Sequence, residues 1–204
     1  MLAMIMYAHD STDRLPQPGW PLTVASWAAG PGIPLNTGGT ATYPVILPQQ
    51  QSSFTRGLLY PYLKMDKVLL CPADKPNPKF YARQILTTSY VWNLAINNWG
   101  DAARTLKLDN FESDAIMQWE TDESTPFFFN DFANFPDEGI SARHGKGAVV
   151  ATISGSAERM NTNVFYALTG GRAPQGMGGT KWSTLPANSL PNRLWCSPNN
   201  NGHP

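Results

Sequence analysis

Apolar positions along this chain fall in short blocks, separated by long stretches rich in Pro, Gly, Asn, Ser and Thr. Met1 to Ala8 is apolar around the whole helical turn, and Asp10-Ser-Thr-Asp13 with Pro16, Pro18 and Pro21 stops a helix firmly. The pattern predicts a helix over residues 1–9 with one apolar face inadequately covered. Residues 55–64 read as a short helix carrying Leu58, Leu59 and Leu63 on one face. Tyr90, Trp92 and Leu94 alternate with Val91 and Asn93, which predicts a strand over 90–96, and residues 115–119 read as another. Phe127-Phe-Phe129 reads as a buried strand or an aromatic wall. Residues 147–153 are apolar and β-branched, and Ser154-Gly155 is a two-residue turn signal that returns the chain along 156–160. A type I′ turn there would need positive φ at Ser154, so Asn would suit it better than Ser.

Between these blocks, residues 20–51 show little periodicity and read as an irregular insertion, and 161–204 read as a wrapped C-terminal tail. The sum is one domain over 1–204, of α+β class and loop-rich, with an N-terminal helix packed on an antiparallel β-sheet. Its length suffices for a self-sufficient core.

Charge narrows the functions. Fifteen basic and fifteen acidic residues cancel, and no basic stripe is visible, which argues against nucleic acid and anionic membrane surfaces as partners. Charged residues make up only 15% of the chain, a polar but weakly charged composition that suits work outside the cytosol. Eight apolar residues at the front fall short of the ~20 that span a bilayer. The expectation is a truncated helix that continues upstream, the other reading being a short helix buried in the core.

Five blocks in order carry a resemblance. They are Met4-Ile-Met-Tyr-Ala-His-Asp10 with Arg14-Leu-Pro16; Leu58-Leu-Tyr-Pro-Tyr-Leu63 with Leu70-Cys-Pro-Ala-Asp74; Ser89-Tyr-Val-Trp-Asn93; His144 followed after nine residues by Ser154-Gly155; and Arg193-Leu-Trp-Cys196. Together they resemble a bacterial family of prepilin-like proteins, related to type II secretion pseudopilins, whose C-terminal signature is a His, nine residues, then Asp-Gly. Two positions depart from it: Ser154 stands for the usual Asp and Ser156 for a frequent His. The resemblance implies a pilin-like body and a non-catalytic, extracytoplasmic structural subunit of a type II secretion or type IV pilus-like assembly. It would be anchored in the inner membrane before assembly and pack with other pilin-like subunits through its N-terminal helix. The alternative is a carbohydrate-binding or adhesive surface module, with surface glycan as partner.

Candidate chemistry is sparse. No nucleophile elbow, HExxH, EF-hand loop or P-loop occurs. His144, beside Arg143, reads as a structural residue that pins the loop before the hairpin, part-buried and bonded to backbone; a general base is the other reading. Cys71 and Cys196 fit no zinc spacing and are most simply a disulfide in an oxidising compartment, the other reading being two buried thiols. Asp131, Asp137 and Glu138 share a loop that could offer oxygens to calcium, as loops of related pseudopilins do, or could cap backbone amides. Calcium is the one cofactor considered. Among seven Trp, Trp20, Trp27 and Trp99 sit beside Pro, Gly or Asn and are candidates for stacking on sugar rings; core mass is the other reading.

Overall fold

A computed structural model describes residues 1–204. The chain is α+β, built on a five-stranded mixed sheet. Helix α1 spans Leu2–Asp10. It ends where Thr12 and Asp13 take positive φ and the Asp13 N–H returns to the Ala8 carbonyl at 2.8 Å. Strands β1 (Tyr90–Asn93), β2 (Ile116–Glu120), β3 (Ala133–Asn134), β4 (Gly147–Thr152) and β5 (Ala157–Asn161) lie in the order β3-β1-β2-β4-β5. All neighbours are antiparallel except β3, which pairs parallel with β1 through Trp92–Ala133 and Asn93–Asn134. The expected purely antiparallel sheet is therefore corrected to a mixed one.

Both faces of the sheet are covered, which is why its central strands are apolar at consecutive positions. On one face Ala3 and Met4 of α1 pack with Trp27, Trp92, Met117 and Ile153. On the other, Val91, Trp119 and Val150 meet Phe165 of a further helix, Thr162–Thr169, together with Leu194. Asn93 stitches the two layers. Its buried amide donates to the Ile116 and Leu194 carbonyls at 2.9 and 2.8 Å, and its oxygen accepts the Ala95 N–H at 3.0 Å.

The span 20–51 is less irregular than its composition implies, because Tyr43–Phe54 forms a helix. Pro44 opens it, and Pro48 sits inside it. Buried Gln50 anchors that helix: its amide donates to the Pro34 and Gln84 carbonyls and its oxygen accepts from Leu86. The expected helix over 55–64 shrinks to Tyr60–Leu63, with Leu59 buried beneath it. The strand over 90–96 stops at Asn93 and continues as a single 3₁₀ turn. Phe127-Phe-Phe129 lies in a 3₁₀ turn over Pro126–Phe129, with Phe128 and Phe129 buried. No helix is long and apolar enough to cross a membrane.

The hairpin forms where the apolar run and the Ser154-Gly155 signal placed it, with a different turn. The Gly155 N–H bonds to the Thr152 carbonyl at 3.0 Å, the Thr152 N–H bonds to the Ser156 carbonyl at 2.9 Å, and positive φ falls on Gly155 (+91°) alone. This is the three-residue loop closed by a left-handed glycine, not a type I′ turn. Ser154 instead bonds to the Thr152 hydroxyl at 2.9 Å. Ser154→Asn should accordingly leave stability within about ±0.5 kcal/mol of wild type in urea melts.

Candidate functional site

The densest chemistry gathers at the far end of β2. Glu120, the last residue of that strand, is fully buried, and the β1–β2 register sets it opposite Tyr90. One carboxylate oxygen, Oε2, accepts the Val149 N–H at 2.8 Å, which leaves Oε1 aimed at His144 Nε2, 3.1 Å away. The loop that leads to His144 passes the end of β2, with the Ser141 N–H on the Glu120 carbonyl. It then turns sharply at Gly145 and Lys146, both at positive φ, before entering β4. Gly145 tolerates that conformation without a Cβ clash against the preceding carbonyl. The Arg159 guanidinium holds the turn by donating to the carbonyls of His144, at 2.7 Å, and Gly145.

The third member is Cys71. Its Sγ lies 3.4 Å from His144 Nε2. Its backbone N–H donates to the Ser89 hydroxyl at 3.0 Å, and that hydroxyl in turn donates to Asp74 at 2.7 Å. Asp74 takes both arms of Arg83, at 2.7 and 2.9 Å, and lies 3.3 Å from Arg143. Arg143 also faces Glu120 at 3.7 Å and Glu123 at 3.3 Å. Burial, then the hydrogen bond to Glu120, pushes the Cys71 thiol up. Burial, then the charge of Glu120, pushes the Tyr90 phenol up to about 12, so it stays neutral beside the cluster. Burial works to raise the Asp74 carboxyl, but the hydrogen bond and charge of Arg83, with Arg143 and Ser89, outweigh it and hold Asp74 below its usual range.

This arrangement does not form a nucleophile–base–acid relay. Such a relay gives one imidazole nitrogen to the nucleophile and the other to the acid. Here thiol and carboxylate both approach the same nitrogen, and the thiol is held protonated. What the three groups share is the ability to donate lone pairs to one point, since their ligand atoms all lie within 4.8 Å of one another.

The sequence candidates divide sharply. His144 is part-buried as expected, but its ring bonds to side chains rather than to backbone, and it has the acid and sulfur partners that sequence reading could not name. The Cys71–Cys196 bridge is corrected: both are free, buried thiols. Cys71 sits at the Tyr90–Glu120 end of the β1–β2 ladder and Cys196 against Asn93 at the other end. Three residues of strand, roughly 10 Å, separate those ends, beyond disulfide reach.

The calcium set is also corrected. Asp137 is fully buried and accepts the N–H groups of Gly179, Thr180 and Lys181 at 2.8–2.9 Å. Asp131 accepts from Ala133, and Glu138 from Phe135. The three carboxylates organise loops by capping amides and do not converge on one point.

Of the Trp candidates, Trp27 is buried and stacked on Trp92, while Trp99 is stacked on Phe135 and leans on Trp195. Only Trp20, 44% exposed, faces outward. It lines a cleft of ≈ 180 Å³ with Phe127, Phe135, Asp131 and Glu138. Sequence reading missed Glu120, whose one signal is a carboxylate ending an apolar strand, and missed that Asp74 of the Cys-Pro-x-Asp block is the counter-ion of a buried arginine.

No family model matches the chain, and no curated protein or solved structure matches it.

Proposed function

We propose that this chain is the globular, extracytoplasmic part of a pilin-like structural subunit, serving a type II secretion or type IV pilus-like assembly without catalysis of its own. The observation that carries the reading is the unequal burial of α1. Ala3, Met4 and Ala8 seat the helix on the sheet, while Leu2, 72% exposed, and Met6, 46% exposed, stand one turn apart on its outer side. A pair of large apolar side chains at (i, i+4) on a helix already anchored to its own domain suits packing against a neighbouring helix of the same kind. The occupant we assign to that face is the N-terminal helix of another pilin-like subunit.

The motif residues support this reading through their structural duties. Asn93 ties the layers, Gly155 closes the hairpin, and Asp74 neutralises Arg83. A sugar-binding module would be better served by a row of exposed rings, whereas the cleft presents the single indole of Trp20 beside Phe127 and Phe135.

Met6→Glu tests the assignment. Because Met6 is not core, the variant should keep its stability within about 0.5 kcal/mol of wild type. It should nevertheless drop out of the assembled fraction of cells that express the protein. Retention in assemblies at wild-type level would refute a packing role for this face.

A further inference from the structure

We propose that Cys71, Glu120 and His144 form a binding site for a borderline-soft divalent cation of the zinc type. The proposal is independent of the reading of α1 and rests on the geometry at the end of β2.

The first support is dimensional. Tetrahedral zinc, with bonds of about 2.3 Å to sulfur and about 2.0–2.1 Å to nitrogen or oxygen, has ligand–ligand edges of about 3.5 Å for S–N and about 3.3 Å for N–O. The corresponding separations here are 3.4 Å from Cys71 Sγ to His144 Nε2 and 3.1 Å from His144 Nε2 to Glu120 Oε1. The three groups come from separate stretches of chain, so no local turn forces them together; the fold does.

The second support is the crowding of one nitrogen. His144 Nε2 has one in-plane position, for a proton or a lone pair. A proton there serves Glu120 and leaves the sulfur without a partner on the ring; a lone pair serves the thiol and faces the carboxylate. A cation bound to that lone pair draws the thiolate and the carboxylate to the same centre.

The third support is the surrounding shell. Glu120 is oriented by the Val149 N–H on its other oxygen, and Cys71 by the Ser89–Asp74–Arg83 chain. Such outer partners hold ligands in place before the metal arrives. Charge agrees: with Cys71 as thiolate, four anions (Cys71, Asp74, Glu120 and Glu123) face two guanidiniums (Arg83 and Arg143), leaving two negative charges for a divalent ion. Arg143 Nη1 stands between Asp74 at 3.3 Å and Glu120 Oε1 at 3.7 Å, nearer to Asp74, while its Nη2 is held by Glu123 at 3.3 Å. His144 is 32% exposed, so solvent reaches the ring that would carry the ion. The sulfur and imidazole select zinc, cobalt or a similar ion over calcium and magnesium.

The direct test uses the whole chain and cobalt(II) as the probe. About one equivalent should produce a thiolate-to-cobalt charge-transfer band, with about one proton released per ion as Cys71 deprotonates. Added zinc should abolish the band, and zinc should shield Cys71 from alkylation. Cys196→Ser should keep the band and Cys71→Ser should lose it. If the wild-type chain gives no thiolate band in excess cobalt, or if the band survives in Cys71→Ser, the site does not exist. The wild-type spectrum alone decides the matter if a variant fails to fold.

Discussion

Asp74→Ala is expected to destabilise the chain by about 3–5 kcal/mol, the usual cost of removing one partner from a buried ion pair. Arg83 is fully buried, grips both oxygens of Asp74, and lies with its guanidinium 3.7 Å from the centre of the Phe129 ring. Without Asp74 its charge has no close anion, and Ser89, which orders Cys71, loses its acceptor. Urea unfolding of wild type and variant measures the difference; a loss under about 1 kcal/mol would mean that the pair is not desolvated as described. The pH dependence has a definite sign. Because the folded state holds the Asp74 carboxyl below its ordinary 3.8, its contribution is present above that pH and is lost as pH falls through the lower folded value.

The second large effect runs the opposite way. Burial, partly opposed by the Phe135 N–H and reinforced by the charge of Asp137, lifts Glu138 from its ordinary 4.5 to about 7. Burial also holds Asp131, in the same cleft, well above the carboxylate range. The folded chain therefore keeps a proton on Glu138 that the unfolded chain releases between pH 4.5 and about 7. Stability should fall across that window, by about 3 kcal/mol from Glu138 alone. Glu138→Gln keeps an acceptor for the Phe135 N–H and removes the charge. It should match wild type near pH 4 and exceed it by about 2–3 kcal/mol at pH 8, with the wild-type slope flattened. Equal slopes in the two proteins would show that Glu138 is not desolvated.

Much of the sheet was legible because its strands carry the period that sheets impose. Val91 and Trp92, or Ile116 and Met117, are apolar at consecutive positions because both faces of the sheet are covered, and the hairpin over β4 and β5 follows from its apolar, β-branched run and its glycine. The helices were less legible. Tyr43–Phe54 contains Pro48, which local propensity penalises, and Gln50 holds it in place through three hydrogen bonds to distant backbone that no sequence window contains. Thr162–Thr169 had usable signals, an Asn161 cap and Gly170-Gly171 beyond its end, but they lay inside a stretch whose Gly and Pro content suggested coil.

The site was legible only in fragments. His144 stood out within its signature, and Cys71 and Asp74 shared a block. Yet ligand spacing rules look for neighbours in sequence, whereas Cys71, Glu120 and His144 meet only because the β1–β2 register and the Gly145 turn bring three remote segments to one corner. The disulfide reading failed for the same reason: counting two cysteines says nothing about which ends of a strand they occupy.

The packing role proposed for α1 is tested most directly by placing a photo-cross-linking amino acid at position 6 of the protein in intact cells. Position 177, where Met177 is 55% exposed, serves as the control. The account predicts that position 6 forms adducts mapping to the N-terminal helix of a second pilin-like subunit and that position 177 does not. Position 6 giving no protein adduct, or the same adducts as position 177, would contradict it.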